Sequence, residues 1–206
     1  MRTLVLDCST EACSVALFEG RDVVDSRHEI LGRGHAERLI PMIAELPERG
    51  RAERVVAGLG PGSFTGVRVA IAAARALALA WSSETKGYPT LALIAAMARA
   101  HAGEVPVAVA MTGGHGEWFV ERFAADGRSA GTLASLSPDE ATARTAEQVV
   151  VGNQAEALVA ARGAGTAIPL LPDARAFPLL PEAALCSRLD PIYGRGPDAR
   201  LPGAAR

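Results

Sequence analysis

Gly58-Leu59-Gly60-Pro61-Gly62-Ser63-Phe64-Thr65-Gly66-Val67-Arg68 stands between a short apolar run, residues 54–57, and the longest helical segment, residues 67–81. Four glycines and a proline in nine residues allow backbone geometry that Cβ-bearing residues resist, and Ser63 or Thr65 can cap the helix that follows. A strand-to-helix turn of this composition has two uses. It can aim backbone N–H groups at an anion, or it can turn a tight corner. It is not a Walker A loop, because Gly66 is followed by Val67-Arg68 rather than by Lys and Ser or Thr. Ser63 sits in G-S-F-T-G, not in the G-x-S-x-G of a nucleophile elbow.

Upstream, residues 3–6 form a Leu/Val run of the buried-strand type that ends at Asp7. No apolar leader precedes this run, which reads as a first strand rather than a signal peptide. Strand character resumes over 13–18 and again over 22–28, with turns at 8–12 and at Glu19-Gly20. This predicts an antiparallel meander with Asp7 and Thr10 at its first corner. After Gly32-Arg33-Gly34 a helix is expected over 35–46, with Leu39, Ile40, Met42, Ile43 and Leu46 apolar and Pro41 a kink or a late start.

Downstream, the 67–81 helix is apolar nearly all round, with Arg68 and Arg75 its only charges. Such a helix must be covered on all sides, which suggests a partner helix from another chain. Residues 82–86 read as a polar loop, 88–91 as a strand and 92–101 as an alanine-rich helix. A seam at Gly103-Glu104 then divides the chain into lobes 1–103 and 104–206. In the second lobe strands are expected over 105–111, 117–123, 131–136 and 149–151. Helices are expected from an N-cap at Ser137 and over 154–161. A Pro-rich connector, 168–181, leads to a last helix over 183–189 and an extended tail. The element order of the first lobe recurs, shortened, in the second, as a diverged duplication would.

Composition narrows the function. The 206 residues are 49% hydrophobic, with formal net charge −2, pI near 6.1 and mean hydropathy +0.17, which describes a globular chain without the basic excess of a nucleic-acid binder. No apolar run reaches the ~20 residues of a membrane span, and a cytoplasmic protein is expected. Cys8, Cys13 and Cys186 form no C-x-x-C pair, so neither a disulfide framework nor a zinc site is indicated. Lys86 is the only lysine.

Asp7-Cys8-Ser9-Thr10 on a hairpin turn resembles the first phosphate corner of the actin, sugar-kinase and Hsp70 superfamily. The resemblance becomes closer with Ser9-Thr10-Glu11-Ala12-Cys13-Ser14-Val15-Ala16-Leu17, His35…Pro41-Met42, Gly60-Pro61-Gly62-Ser63-Phe64-Thr65-Gly66-Val67-Arg68, Gly116-Glu117 and Pro191-Ile192-Tyr193…Arg195. Together these resemble the TsaB (YeaZ) family. The resemblance implies a two-lobed α/β fold, each lobe a mixed sheet with helices and the second lobe reduced. It implies a non-catalytic subunit that pairs with the related TsaD and works with the ATPase TsaE, ATP and metal being bound by those partners. The product is threonylcarbamoyladenosine beside the anticodon of tRNA. It also implies association, with TsaD or as a homodimer, through the first two helices of the N-terminal lobe. Here that seam would be His35, Leu39, Met42, Ile43, Val67, Ala70, Ile71, Ala74, Leu77 and Ala78, and a charge at Ala74 is expected to break it.

Catalysis by the chain itself finds little support among its residues. TsaD-like enzymes hold a metal on paired histidines, whereas residues 91–100 contain none. Where the family has Asp-Ala-Arg before Gly-Glu, this chain has Thr112 after Met111, so the second carboxylate of a phosphate site is replaced. Asp7, Ser9 and Thr10 remain as candidates for a phosphate corner, and a small ATP-binding phosphotransferase or ATPase of the same fold is the alternative function. Asp7 as a turn cap is the simpler role. tRNA contact is expected only within a complex, through groups such as Arg33, Arg38 and the C-terminal arginines.

Overall fold

The period-two alternation of the first strands determines what flanks them. The computed structural model describes residues 1–195; the expected tail beyond Arg195, with its arginines, lies outside the described residues. β1 (Arg2–Asp7), β2 (Ala12–Glu19) and β3 (Asp22–Ile30) form the expected antiparallel meander. β4 (Arg54–Gly58) and β5 (Glu84–Tyr88) extend the sheet in parallel from β1, giving the order β3-β2-β1-β4-β5. Leu4, Leu6, Val15, Leu17, Val55 and Ala57 point to one face, where α1 (His35–Ala44) and α2 (Phe64–Trp81) cover them. Val5, Ala16, Phe18 and Val56 point to the other face, towards Leu93 of α3 (Thr90–Ala102) and the helical turn Ala174–Leu179.

The second sheet repeats the path. β6 (Val107–Thr112), β7 (Trp118–Phe123) and β8 (Ala134–Leu136) run antiparallel, while β9 (Val149–Val151) and β10 (Thr166–Ile168) add in parallel on the far side of β6. The order β10-β9-β6-β7-β8 is the first sheet's order read from the other end. Leu91, Ile94, Ala95 and Ala98 of α3 pack against Val107, Val109, Phe119 and Phe123 on one face. α4 (Pro138–Arg144) and α5 (Ala155–Arg162) cover the opposite face through Ala141, Ala155 and Leu158. The layers therefore run α1/α2, sheet, α3, sheet, α4/α5.

Several expectations are corrected. Most of the stretch expected as a polar loop, 82–86, lies in β5, and Thr90 and Leu91 belong to α3 rather than to a strand. The edge position of β5 tolerates polar side chains, which masked its strand character. The last helix expected over 183–189 is a short 3₁₀ turn, Glu182–Ala184. Past that turn Cys186 exchanges two backbone hydrogen bonds with Gly87, of 2.8 and 2.9 Å, and so completes the β5 edge. The connector 168–181 contains the end of β10 and the turn Ala174–Leu179. α1 ends at Ala44 and carries Pro41 inside it, and Ile40, expected on the apolar face, is half exposed. α2, with mean hydropathy 1.4 over 18 residues, is long and apolar enough to cross a membrane by length and composition alone; here it lays one face on the first sheet.

Candidate functional site

Two hairpin corners, one from each sheet, face a cavity of about 890 Å³ between the lobes. The first is the turn between β1 and β2. Asp7 at the end of β1 is wholly buried: its Oδ1 accepts from the Ser9 N–H at 2.8 Å, and its Oδ2 accepts from the Tyr88 hydroxyl at 3.0 Å and the Thr90 hydroxyl at 3.1 Å. The Cα of Gly58 lies so close that a side chain there would meet the Asp7 carboxylate. Burial pushes the Asp7 carboxyl above the ordinary carboxylate range, against the pull of these hydrogen bonds, and Tyr88 is pushed up by burial and by Asp7 beside it. The turn-cap role is therefore what the structure displays. Both carboxylate oxygens are held inside the protein, away from the cavity that Ser9 and Thr10 line.

The glycine-rich run docks on that corner. A Cβ at Gly62 would collide with the Ser9 carbonyl, and one at Gly66 with the Cys8 carbonyl. The Ser63 N–H donates to Ser9 O at 2.7 Å, and the Ser63 hydroxyl caps α2 by accepting from the Gly66 N–H at 3.2 Å. The N–H groups of Ser63 and Gly66 that could have met an anion are thus spent within the protein. Close packing is one use that this geometry serves. Gly60 and Pro61 complete the turn, with Gly60 N–H donating to the Thr90 hydroxyl at 3.2 Å, while Thr65 is exposed.

The second corner follows β6. Thr112 closes β6 as Asp7 closes β1, and its hydroxyl accepts from Gln154 Nε2 at 2.8 Å. Its N–H donates to Asn153 Oδ1 at 2.8 Å, and the Asn153 amide reaches across the cavity to Glu11, at 2.9 and 3.1 Å from the two carboxylate oxygens. Glu11, the acid lining the cavity, is thereby engaged in joining the lobes. Among the described residues no three His, Cys, Asp or Glu side chains converge as a metal site would require. Tyr88, Thr90 and Asn153 were not legible as members of this region. Their bonds span 30 to 142 positions of chain, which no local spacing signals.

The ten residues of the expected seam lie mostly inside the chain itself. Leu39, Met42, Ala70 and Ala74 are completely enclosed, His35, Ile43, Val67, Ile71 and Ala78 are nearly so, and Leu77 is half-buried. They form the contact of α1 and α2 with their own sheet, so a charge at Ala74 would strike the core. His35 Nε2 finds no hydrogen-bond partner among the described residues. The accessible face of α2 is instead Phe64, Arg68, Ala72, Ala76 and Leu79, with Leu79 86% exposed. At its N-terminal end Arg68 lies 3.6 Å over the Phe64 ring and donates to the Tyr193 hydroxyl.

Residues 23–175 match the family model described as "TsaD: tRNA N6-adenosine threonylcarbamoyltransferase". The Escherichia coli protein named tRNA threonylcarbamoyladenosine biosynthesis protein TsaB is 36% identical over 131 residues, which cover 61% of this chain and 56% of that protein. The chain thus spans about half the length of this curated relative. A Pseudomonas aeruginosa structure described as similar to peptidase YeaZ shares 31% identity at a TM-score of 0.71, covering 86% of this chain and 89% of that one. YeaZ from the same organism shares 29% identity at 0.77, covering 93% and 99%. The two-lobed α/β architecture, with a five-stranded mixed sheet in each lobe, is common to them. With the glycine-rich run packed on the Asp7 corner and the same path through both sheets, the chain belongs to the TsaB (YeaZ) family.

Proposed function

We propose that this chain is a non-catalytic subunit of a cytoplasmic assembly forming threonylcarbamoyladenosine in tRNA, and that it docks a TsaD homologue through the exposed faces of α1 and α2. A TsaE homologue joins the larger complex, and two copies of the chain pair through the same surface when TsaD is absent. ATP and metal are then the partners' to bind, and tRNA is met only in the complex. The observation that carries this reading is the outer face of α2. Apart from Arg68 and Arg75 its helix is apolar all round, yet the chain buries one side only, leaving Leu79, Ala76 and Ala72 in a line with Phe64, which is 57% exposed. Ile40 adds an apolar side chain on the neighbouring α1. Apolar stripes of this kind on packed helices are the usual material of protein interfaces. The names of the relatives support the pathway.

Phosphoryl transfer, the alternative, is opposed by the burial of Asp7 and by Thr112 at the matching strand end. The test is co-purification with a TsaD homologue. Leu79→Glu combined with Ala76→Glu should reduce recovery of the complex at least about tenfold, a loss of roughly 1.4 kcal/mol. Undiminished recovery of a folded double variant overturns the proposed face. Titration calorimetry with Mg-ATP on the chain alone should show no heat, and binding that Ser9→Ala or Thr10→Ala abolishes would favour the alternative.

A further inference from the structure

Two stretches of backbone join the lobes on the α3 side of the first sheet. One runs from α3 into β6. The other runs from β10 to the turn Ala174–Leu179, where the Ala174 N–H donates to the Ser14 hydroxyl at 2.8 Å and Phe177 packs 6.0 Å from the Phe18 ring. A third connection lies on the opposite face. The chain passes round the β5 edge at Cys186, and Leu189 and Ile192 then pack into the core beneath α1 and α2. Arg75 Nη2 donates to the Leu189 carbonyl at 2.8 Å, and the Ile192 N–H donates to the Leu59 carbonyl at 2.8 Å.

At Tyr193 the segment meets the start of α2. The Tyr193 ring stacks on Phe64 with centroids 5.8 Å apart and planes 27° apart, and its hydroxyl accepts from Arg68 at 2.9 and 3.1 Å. The next residue is already on the other lobe. Gly194 lies so flat on the Phe119 ring of β7 that a Cβ would enter the ring, and the Arg195 guanidinium lies 4.0 Å from Glu117. Ile192 and Tyr193 form part of the cavity wall.

We propose that residues 186–195 form a strap that holds the two lobes together across the cavity. Two connections on the α3 face and one on the α2 face make a hinge with a clasp on its far side. Release of the Tyr193–Gly194 contacts lets the lobes part about α3, leaving the Glu11–Asn153 hydrogen bonds to resist, and exposes the loops after β1 and β6. The Gly194–Phe119 contact explains a glycine at this position, since any larger residue would lift the strap from β7. This inference is independent of the partner-docking reading, because it concerns the isolated chain.

Hydrogen exchange followed by mass spectrometry on the full chain tests it. Gly194→Val should speed exchange at residues 9–12 and 112–117 by about tenfold or more while residues 3–6 and 55–57 keep their wild-type rates, as local rather than global opening requires. Small-angle scattering should show a larger radius of gyration. Arg68→Gln, which leaves the glycine contact intact and loosens only the Tyr193 latch, should accelerate the same two loops to a smaller extent. Unchanged exchange at 112–117 in both variants overturns the strap. So does acceleration that extends equally to residues 3–6 and 55–57, since that is loss of the fold and not release of a clasp.

Discussion

The Tyr88 hydroxyl donates to Asp7 Oδ2 at 3.0 Å, and neither residue touches solvent. This pair joins the end of β1 to the end of β5 as an internal tie. Its pH behaviour follows from the direction of the shift. With the Asp7 carboxyl raised by burial, the folded chain holds its proton at pH values where the unfolded chain has lost it. Stability from this group is complete below the unfolded carboxylate value near 4 and falls as pH rises through the folded value. Asp7→Asn keeps an acceptor for the Ser9 N–H and removes the charge. Urea unfolding should show a flatter stability profile above pH 4 for Asp7→Asn than for the wild type. Asp7→Ala, which strands the Ser9, Tyr88 and Thr90 donors, should lose about 3 kcal/mol or more.

Gly66→Ala separates helix propensity from packing. Inside a helix an alanine normally gains about 1 kcal/mol over glycine. At Gly66 the added Cβ meets the Cys8 carbonyl, so thermal unfolding should instead show a loss of roughly 1–3 kcal/mol. A stabilised variant would mean that the corner and α2 can move apart without cost.

The two sides of α2 should respond oppositely to charge. Ala74→Asp buries an unpaired carboxylate against the first sheet and should unfold the chain or cost several kcal/mol. Leu79→Asp changes a side chain that is 86% exposed and should leave the denaturation midpoint within about 0.5 kcal/mol of wild type. Circular dichroism with urea reads both.

Asn153→Asp places a second carboxylate against Glu11 in place of a donor. Thermal unfolding should show a loss of about 1–3 kcal/mol near neutral pH. Asn153→Ala, which removes the bond without adding charge, should lose less.

The amino-acid order by itself determined the alternating strands, the recurrence of one element series in two lobes, and the glycine-rich turn with a Ser63 or Thr65 cap. These follow from spacing and from local backbone preference, which neighbouring residues display directly. It misled where tertiary context overrides local preference. Residues 84–86 are polar because an edge strand tolerates them, and residues 183–189 look helical although Cys186 gives its backbone hydrogen bonds to Gly87. Arg68 and Arg75 already mark the uncovered side of α2 in the sequence, and the tertiary structure alone decided which apolar residues share that side with them. It alone decided that Asp7 is a sealed tie, because its partners Tyr88 and Thr90 stand 81 and 83 residues away. Hydrogen bonds made over such separations are set by how the lobes close, and no periodicity in the chain encodes that.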